Sequence, residues 1–474
     1  MRTIDVAPLP LSDLESHLDE VAVRRLRGGV SAAHGLLDGR TIWVVTPTAA
    51  ASSGVAETVA PLVGLTRGLG LDARWLTLDA PAEFRDIAER LHAHVHGQQG
   101  DGGKLGDKQR DIYEHVLASN AENVMDDVRE GDVVILEDPP TAGLAKAFKQ
   151  AGATVVWRCH LGTDSPTEVA HLACAFLDRY LEDVDLVVVS RPSYLPAFVD
   201  PEQAAFIAPS INPESPKNRV LDLDESWTVV RLAGLFAGRP PFEAVPLLRE
   251  DGRTDAFRSL EESELVIVGG KVPEGARTIT QVQRWDRLKG GLELVEAFAA
   301  QVERFPANAH LLLVGPAPDP EKEPAAQAAL SEIVERVSTL PPHAASRIHV
   351  FGIPVRDREV NATVVNAIQR VSDVVTQRSL VEAFGLTVAE AMWKKLPVVA
   401  SAVGGIQDQI EDGVTGVLVS PDDVDEWGQA VADVLGLPER ARELGLAAHE
   451  AVRRDFLPDR HLLALLEALS GLLE

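Results

Sequence analysis

The sequence predicts an α/β fold of two doubly wound, Rossmann-like parallel-sheet domains. Three observations predict it: short β-branched runs alternate with longer amphipathic segments, that alternation occurs twice, and a Pro-, Gly- and charge-rich interval separates the two series. In the first series the strands are TIWVVTPT (41–48), DARWLTLD (72–79), DVVILEDP (132–139), TVVWRCH (154–160), VDLVVVS (184–190) and AAFIAPS (204–210). Helical spacing of apolar residues marks the segments between them, such as VAETVAPLVGLTRGLG and AGLAKAFKQAG. The interval from Arg239 to Gly275 has one strand-like run, LVIVGG, and reads as an interdomain connection. The second series has strands at 278–284, 310–316, 348–354, 374–377, PVVAS and TGVLVS, with helices between. This places an N-terminal domain at 1–262 and a C-terminal domain at 263–454, with a helix over 455–474 packing back on the first. Ligands of such a pair are expected in the cleft, at the carboxyl ends of the strands.

Composition narrows the function. The chain has 474 residues, 45% of them hydrophobic, which suits buried cores rather than acidic disorder. With 45 Lys+Arg against 72 Asp+Glu the net charge is −27, so no basic field exists for nucleic acid and none is expected as a partner. Two cysteines, Cys159 and Cys174, make no disulfide framework. Neither a signal peptide nor a membrane span is evident, and a cytoplasmic protein is expected. An anionic substrate would need a few local groups to overrule the global field.

Common nucleotide fingerprints are missing. No G-x-G-x-x-G follows the first strand, and GQQGDGGKLG fails as a P-loop and reads as a surface loop. The most informative segment is QRSLVEAFGLTVAEAMWKKLPVVASAVGG. Glu382 stands at a strand-to-helix turn and Glu390 lies two turns inside the helix that begins near Gly385. The first amides of that helix offer a phosphate site at the positive end of its dipole. QVQRWDRLKG adds Arg284 and Lys289, a guanidinium and an ammonium separated by a tight turn after a strand.

On these stretches, together with SSGVAETVAPLVGL, LHAHVHG, DPPTAGL, WRCHLGTD, APSINPESPKN and VNAIQR, the chain resembles glycosyltransferase family 4, of the GT-B fold. Within it the trehalose glycosyltransferring synthases and their actinobacterial relatives are the nearest match. The resemblance implies a retaining hexosyltransferase that moves glucose from an NDP-sugar, UDP- or ADP-glucose, to glucose, giving trehalose. It implies that Arg284 and Lys289 hold the diphosphate, that Glu382 holds donor-sugar hydroxyls and that Glu390 holds the ribose. Phe384, Gly385, Leu386 and Thr387 would complete the donor site on this domain, and Gly54 would let the backbone approach the donor phosphates from the other. Asp138 would contact the acceptor sugar and His160 the donor sugar. No tightly bound cofactor and no metal site are expected, with Mg2+ at most a stimulant; the expected assembly is a homodimer. His92, His94 and His96 lie on a helical segment where only the outer two share a face, which is a poor metal set.

The chain departs from the family at one place. Where the pattern is H-D-P-Q, this chain has Glu137, Asp138, Pro139 and Pro140. Both changes sit on the acceptor side, so a different small-molecule acceptor stays open. A catalytically silent sugar-nucleotide-binding protein is the alternative from another class.

Overall fold

The β-branched runs become two seven-stranded sheets in the computed structural model, which describes residues 1–49, 54–249, 253–261 and 264–473. Ser52 and Ser53 of the SSGVAE run, the expected 262/263 domain boundary and Glu474 lie outside the described residues. The chain divides into unit 1, Met1–Asn212 with Phe456–Glu474, and unit 2, Pro213–Asp455.

Unit 1 holds β1 (Arg2–Ile4), β2 (Thr41–Thr46), β3 (Asp72–Thr77), β4 (Val133–Glu137), β5 (Thr154–Cys159), β6 (Leu186–Val189) and β7 (Ala204–Phe206), in the order β1-β3-β2-β4-β5-β6-β7. All neighbours are parallel except β1, which runs antiparallel to β3 at the edge. Runs such as TIWVVT and VVILE are buried along their whole length because helices cover both faces of a parallel sheet. The order reverses between β2 and β4, which makes their carboxyl ends the switch point of this sheet.

Unit 2 holds a hairpin of β8 (Val245–Leu248) and β9 (Thr254–Phe257), then β10 (Val266–Val268), β11 (Arg277–Val282), β12 (Ala309–Pro316), β13 (Ile348–Ile353), β14 (Val374–Gln377), β15 (Val398–Ser401) and β16 (Val417–Val419). The main sheet runs β10-β13-β12-β11-β14-β15-β16, with β10 antiparallel to β13 and the rest parallel. Its switch point lies between β11 and β14.

The segment expected to be a linker is instead folded into unit 2. A capping box at Asp222 and Glu225 starts the helix Leu223–Leu232, which packs on the helix Arg358–Arg370. Val229, Val230, Leu235 and Phe236 share one buried core with Val245, Leu247 and Phe257 of the hairpin and with Val314, Phe351 and Ile368. Removing this much apolar surface from water places the helix Leu223–Leu232 and the β8–β9 hairpin with unit 2, although the composition from Arg239 to Gly275 reads as a connection. The last helix, Pro458–Leu473, buries Leu462, Leu465, Leu466 and Leu469 against Ile42, Val44 and Val59 of unit 1. Among the described residues no helix is long and apolar enough to cross a membrane.

Candidate active site

In unit 2 the expected residues gather at the switch point because β11 and β14 are neighbours. After β11 the chain makes a 3-10 turn, Arg287–Lys289, started by Asp286, whose carboxylate accepts from the Leu288 amide at 2.9 Å. Gly290 follows with φ 65°, and a Cβ there would lie 2.0 Å from the Arg378 carbonyl oxygen. Only glycine lets the two loops approach this closely. Leu380 N–H donates to the Leu288 carbonyl at 2.8 Å, which fixes the loop after β14 beside the loop after β11.

That approach sets Lys289 against Glu382. The Lys289 ammonium donates to both carboxylate oxygens at 2.7 and 2.6 Å, and Ser379 Oγ donates to one of them at 3.1 Å. Gly385, with φ 94°, opens the helix Leu386–Trp393, whose first N–H groups have no intrahelical acceptor. Thr387 Oγ1 donates to Gln377 Oε1 at 2.9 Å, and Gln409 donates to the Phe384 carbonyl at 2.5 Å, so the helix mouth is held from both sides. Arg284 stands apart from the pair. Its side chain is half exposed, with its guanidinium 3.9 Å from Asp286.

The helix begins at Leu386, so Glu390 lies just over one turn inside it rather than the two expected; it is buried, with Lys217 Nζ 3.6 Å from Oε1. Lys394, one turn further on, is also buried and donates to the Glu390 carbonyl at 3.1 Å and to Asn218 Oδ1 at 3.0 Å. Burial pushes Lys394 down to about 7 against the pull of the Glu390 charge, and burial likewise pushes Arg370 down to about 10. Lys217, Asn218, Lys394 and Arg370 were not expected at the site from sequence. The signal was present in the INPESPKN run, which holds Lys217 and Asn218, but no spacing tied it to the helix.

In unit 1 the expected residues lie at the ends of β4 and β5. Glu137 and Arg158 are register partners on these strands, so their side chains share one face. Glu137 is fully buried and takes a two-pronged ion pair from Arg158, while His160 Nε2 lies 2.9 Å from Oε2, the oxygen that Arg158 Nε also reaches. Burial would raise the Glu137 carboxyl, but Arg158 and His160 overrule it and hold the group below the usual carboxylate range. Arg158 also donates to His461 Nε2 at 2.9 Å, which leaves the other nitrogen of that ring facing Ser210 Oγ at 3.3 Å. Burial and the Arg158 charge push His461 well below the ordinary histidine range, so it is neutral.

Asp138 sits at φ 63° and ψ 167°, a strained conformation for a side chain with a Cβ. Its carboxylate accepts from the His160 backbone N–H at 2.8 Å, and burial raises its pKa. Glu137, where the resemblance led us to expect histidine, therefore lies where Arg158 and His160 converge. Gly54 opens the helix Gly54–Gly68 and is exposed, its carbonyl accepting from Thr58 Oγ1 at 3.1 Å.

Elsewhere, His92 and His96 meet edge to face with centroids 4.8 Å apart, and His94 is buried. No group of three or more metal-ligating side chains occurs among the described residues. Both cysteines are free thiols. The GQQGDGGKLG loop is tied back by Arg90, which ion-pairs with Asp101 and holds that carboxyl down at about 2.

Comparison with known proteins places these sites in context. Residues 46–196 match the family model of the trehalose synthase N-terminal domain, and residues 276–436 match that of glycosyl transferases group 1. The trehalose synthase of Pyrococcus horikoshii is 32% identical over 464 residues, covering 98% of this chain and 96% of the relative. That of Rubrobacter xylanophilus is 30% identical over 442 residues, covering 93% and 92%. Among solved structures, an α,α-trehalose-phosphate synthase (UDP-forming) from Burkholderia xenovorans in complex with glucose-6-phosphate matches with a TM-score of 0.66 at 18% identity, covering 92% of this chain and 100% of that one. The fold is GT-B.

Proposed function

The chain belongs to the trehalose synthase family of glycosyltransferases, and from that premise we propose that it is a retaining glucosyltransferase that joins glucose from UDP- or ADP-glucose to the anomeric carbon of a second glucose. The observation that carries this reading is the Lys289–Glu382 pair beside the mouth of the helix Leu386–Trp393, at the switch point of unit 2. An ammonium has three N–H donors. Lys289 can keep one on Glu382 and turn the others to a phosphate, while Glu382 accepts from sugar hydroxyls. The amides of Gly385, Leu386 and Thr387 and the half-exposed Arg284 would take the remaining phosphate oxygens, with Phe384 lining the mouth and Glu390 on the ribose. From unit 1, Asp138 would hold the acceptor sugar, His160 the donor sugar, and Gly54 would open space for the phosphates.

In the proposed reaction the bond from the donor anomeric carbon to the diphosphate oxygen breaks. The acceptor hydroxyl oxygen bonds to that carbon on the same face, and its proton passes to the departing diphosphate. No protein nucleophile is needed, so the chief catalytic effect is stabilisation of charge on the leaving group. Mass-spectrometric product analysis with UDP- and ADP-glucose, with and without glucose, tests the reading. Trehalose is expected with at least one donor; donor hydrolysis that glucose does not stimulate would refute it.

A second reading, the same chemistry with another acceptor, is favoured by Glu137 standing where the family pattern has histidine. A panel of sugars, sugar phosphates and polyols in the same assay separates the two by the product mass.

A further inference from the structure

The end of the INPESPKN run, Lys217 and Asn218, which the proposed mechanism does not use, meets Glu390 and Lys394 of the donor helix and its C-cap within unit 2. Asn366 donates to the carbonyls of Pro216 and Arg219, each at 3.0 Å, and Arg370 donates to those of Asn218 and Arg219 at 3.2 and 3.0 Å. These bonds lash residues 216–219 to the helix Arg358–Arg370. From there the segment presents two side chains to the donor helix. Lys217 Nζ comes within 3.6 Å of the Glu390 carboxylate, and Asn218 Oδ1 accepts from Lys394. Lys394 closes the loop by also donating to the carbonyl of Glu390 itself.

We propose that Lys217 and Lys394 act as a clamp that positions the Glu390 carboxylate for the ribose of the nucleotide, Lys394 tying the turn that carries Glu390 to the segment that carries Lys217. The inference rests on the proposed role of Glu390 at the ribose. A carboxylate has about four lone-pair sites, more than an ammonium at one oxygen takes, and this capacity suits recognition of a diol. Held by charge on one side and by its own backbone on the other, Glu390 loses little freedom when the ribose arrives. Neither lysine touches the reacting bond, so both are positioning residues.

The test is calorimetric binding to the full chain of UDP against 2′-deoxy-UDP and of ADP against 2′-deoxy-ADP. Wild type should prefer the ribonucleotide of its base by about ten- to hundredfold, the worth of a hydrogen bond to a charged group. Lys217→Met and Lys394→Met should each cut that preference to about threefold or less, through weaker ribonucleotide binding, while Lys217→Arg retains it. A loss of fold would weaken both nucleotides together and leave their ratio unchanged. Wild-type preference in both methionine variants would overturn the clamp alone, provided Glu390→Gln abolishes it. Absence of any preference in wild type would instead overturn the role of Glu390, and the clamp with it.

Discussion

At the switch point of unit 2, one ion pair links the loops after β11 and β14, and the side chains around it are hydroxyls, amides and helix N–H groups. At the end of β4 in unit 1, a fully buried carboxylate is held by an arginine and a histidine, and the arginine is backed in turn by a neutral histidine from the last helix. The first arrangement keeps its cation adjustable, since a lysine can swing between carboxylate and phosphate. The second fixes its groups in place, since a guanidinium fork and a buried carboxylate have one mutual geometry. The two regions thus differ in kind: under the proposed function the first would neutralise a charge that arrives and leaves, and the second holds a histidine and a strained aspartate in place.

Arg158→Met should break the rigid side hardest, because it strands Glu137 without its counter-charge. A loss of about 3–5 kcal/mol in denaturant unfolding is expected, with most of it recovered in Arg158→Met/Glu137→Leu, where the stranded Glu137 charge is removed as well. If the single variant is as stable as wild type, the unit 1 network contributes nothing.

Lys289→Ala probes the adjustable side. Turnover should fall by about 10²–10³-fold, the usual effect of losing one stabiliser of a developing anion, while the unfolding midpoint stays close to wild type. Arg284→Ala should cost less, about tenfold, because half of that side chain is already in water. Steady-state kinetics ranks the two, and a larger loss at Arg284 would reverse their assignment.

The effect smallest per step concerns pH, since it is spread over several pH units. His310 and His349 are buried together at the amino ends of β12 and β13, with ring nitrogens 3.0 Å apart. Burial, then His349 and Arg347, push His310 down to about 4. The unfolded chain therefore binds a proton that the folded chain refuses between pH about 6.5 and 4. Stability should fall as pH drops through that window, by up to about 1.4 kcal/mol per pH unit from this group. His310→Gln should flatten the slope in chemical unfolding at pH 7, 6 and 5; an unchanged slope would remove His310 as its source.

How much could be read beforehand depended on where the partners lie. The strands of both sheets were legible because parallel strands bury both faces and show as unbroken β-branched runs. Glu382, Glu390 and the helix mouth were legible because they fall within a dozen residues of one another. The short antiparallel edge β1 was missed, as three residues carry no periodicity. The β8–β9 hairpin was misread as linker because its alternation, Val245 and Leu247 inward and Pro246 and Leu248 outward, is interrupted by proline and charge.

By itself the sequence determined the two α/β series and the net charge, and it showed Glu382, Glu390 and the turn before their helix as local neighbours, because these follow from composition and from spacing along the chain. Only the tertiary structure decided that Lys289 meets Glu382, that the helix Leu223–Leu232 and the β8–β9 hairpin belong with unit 2, that Lys217 reaches Glu390, and that Glu137 meets Arg158, which His461 backs. Arg158 and His461 are 303 residues apart. Contacts over such separations depend on which strands become neighbours in a sheet, and strand order leaves no periodic trace in the chain.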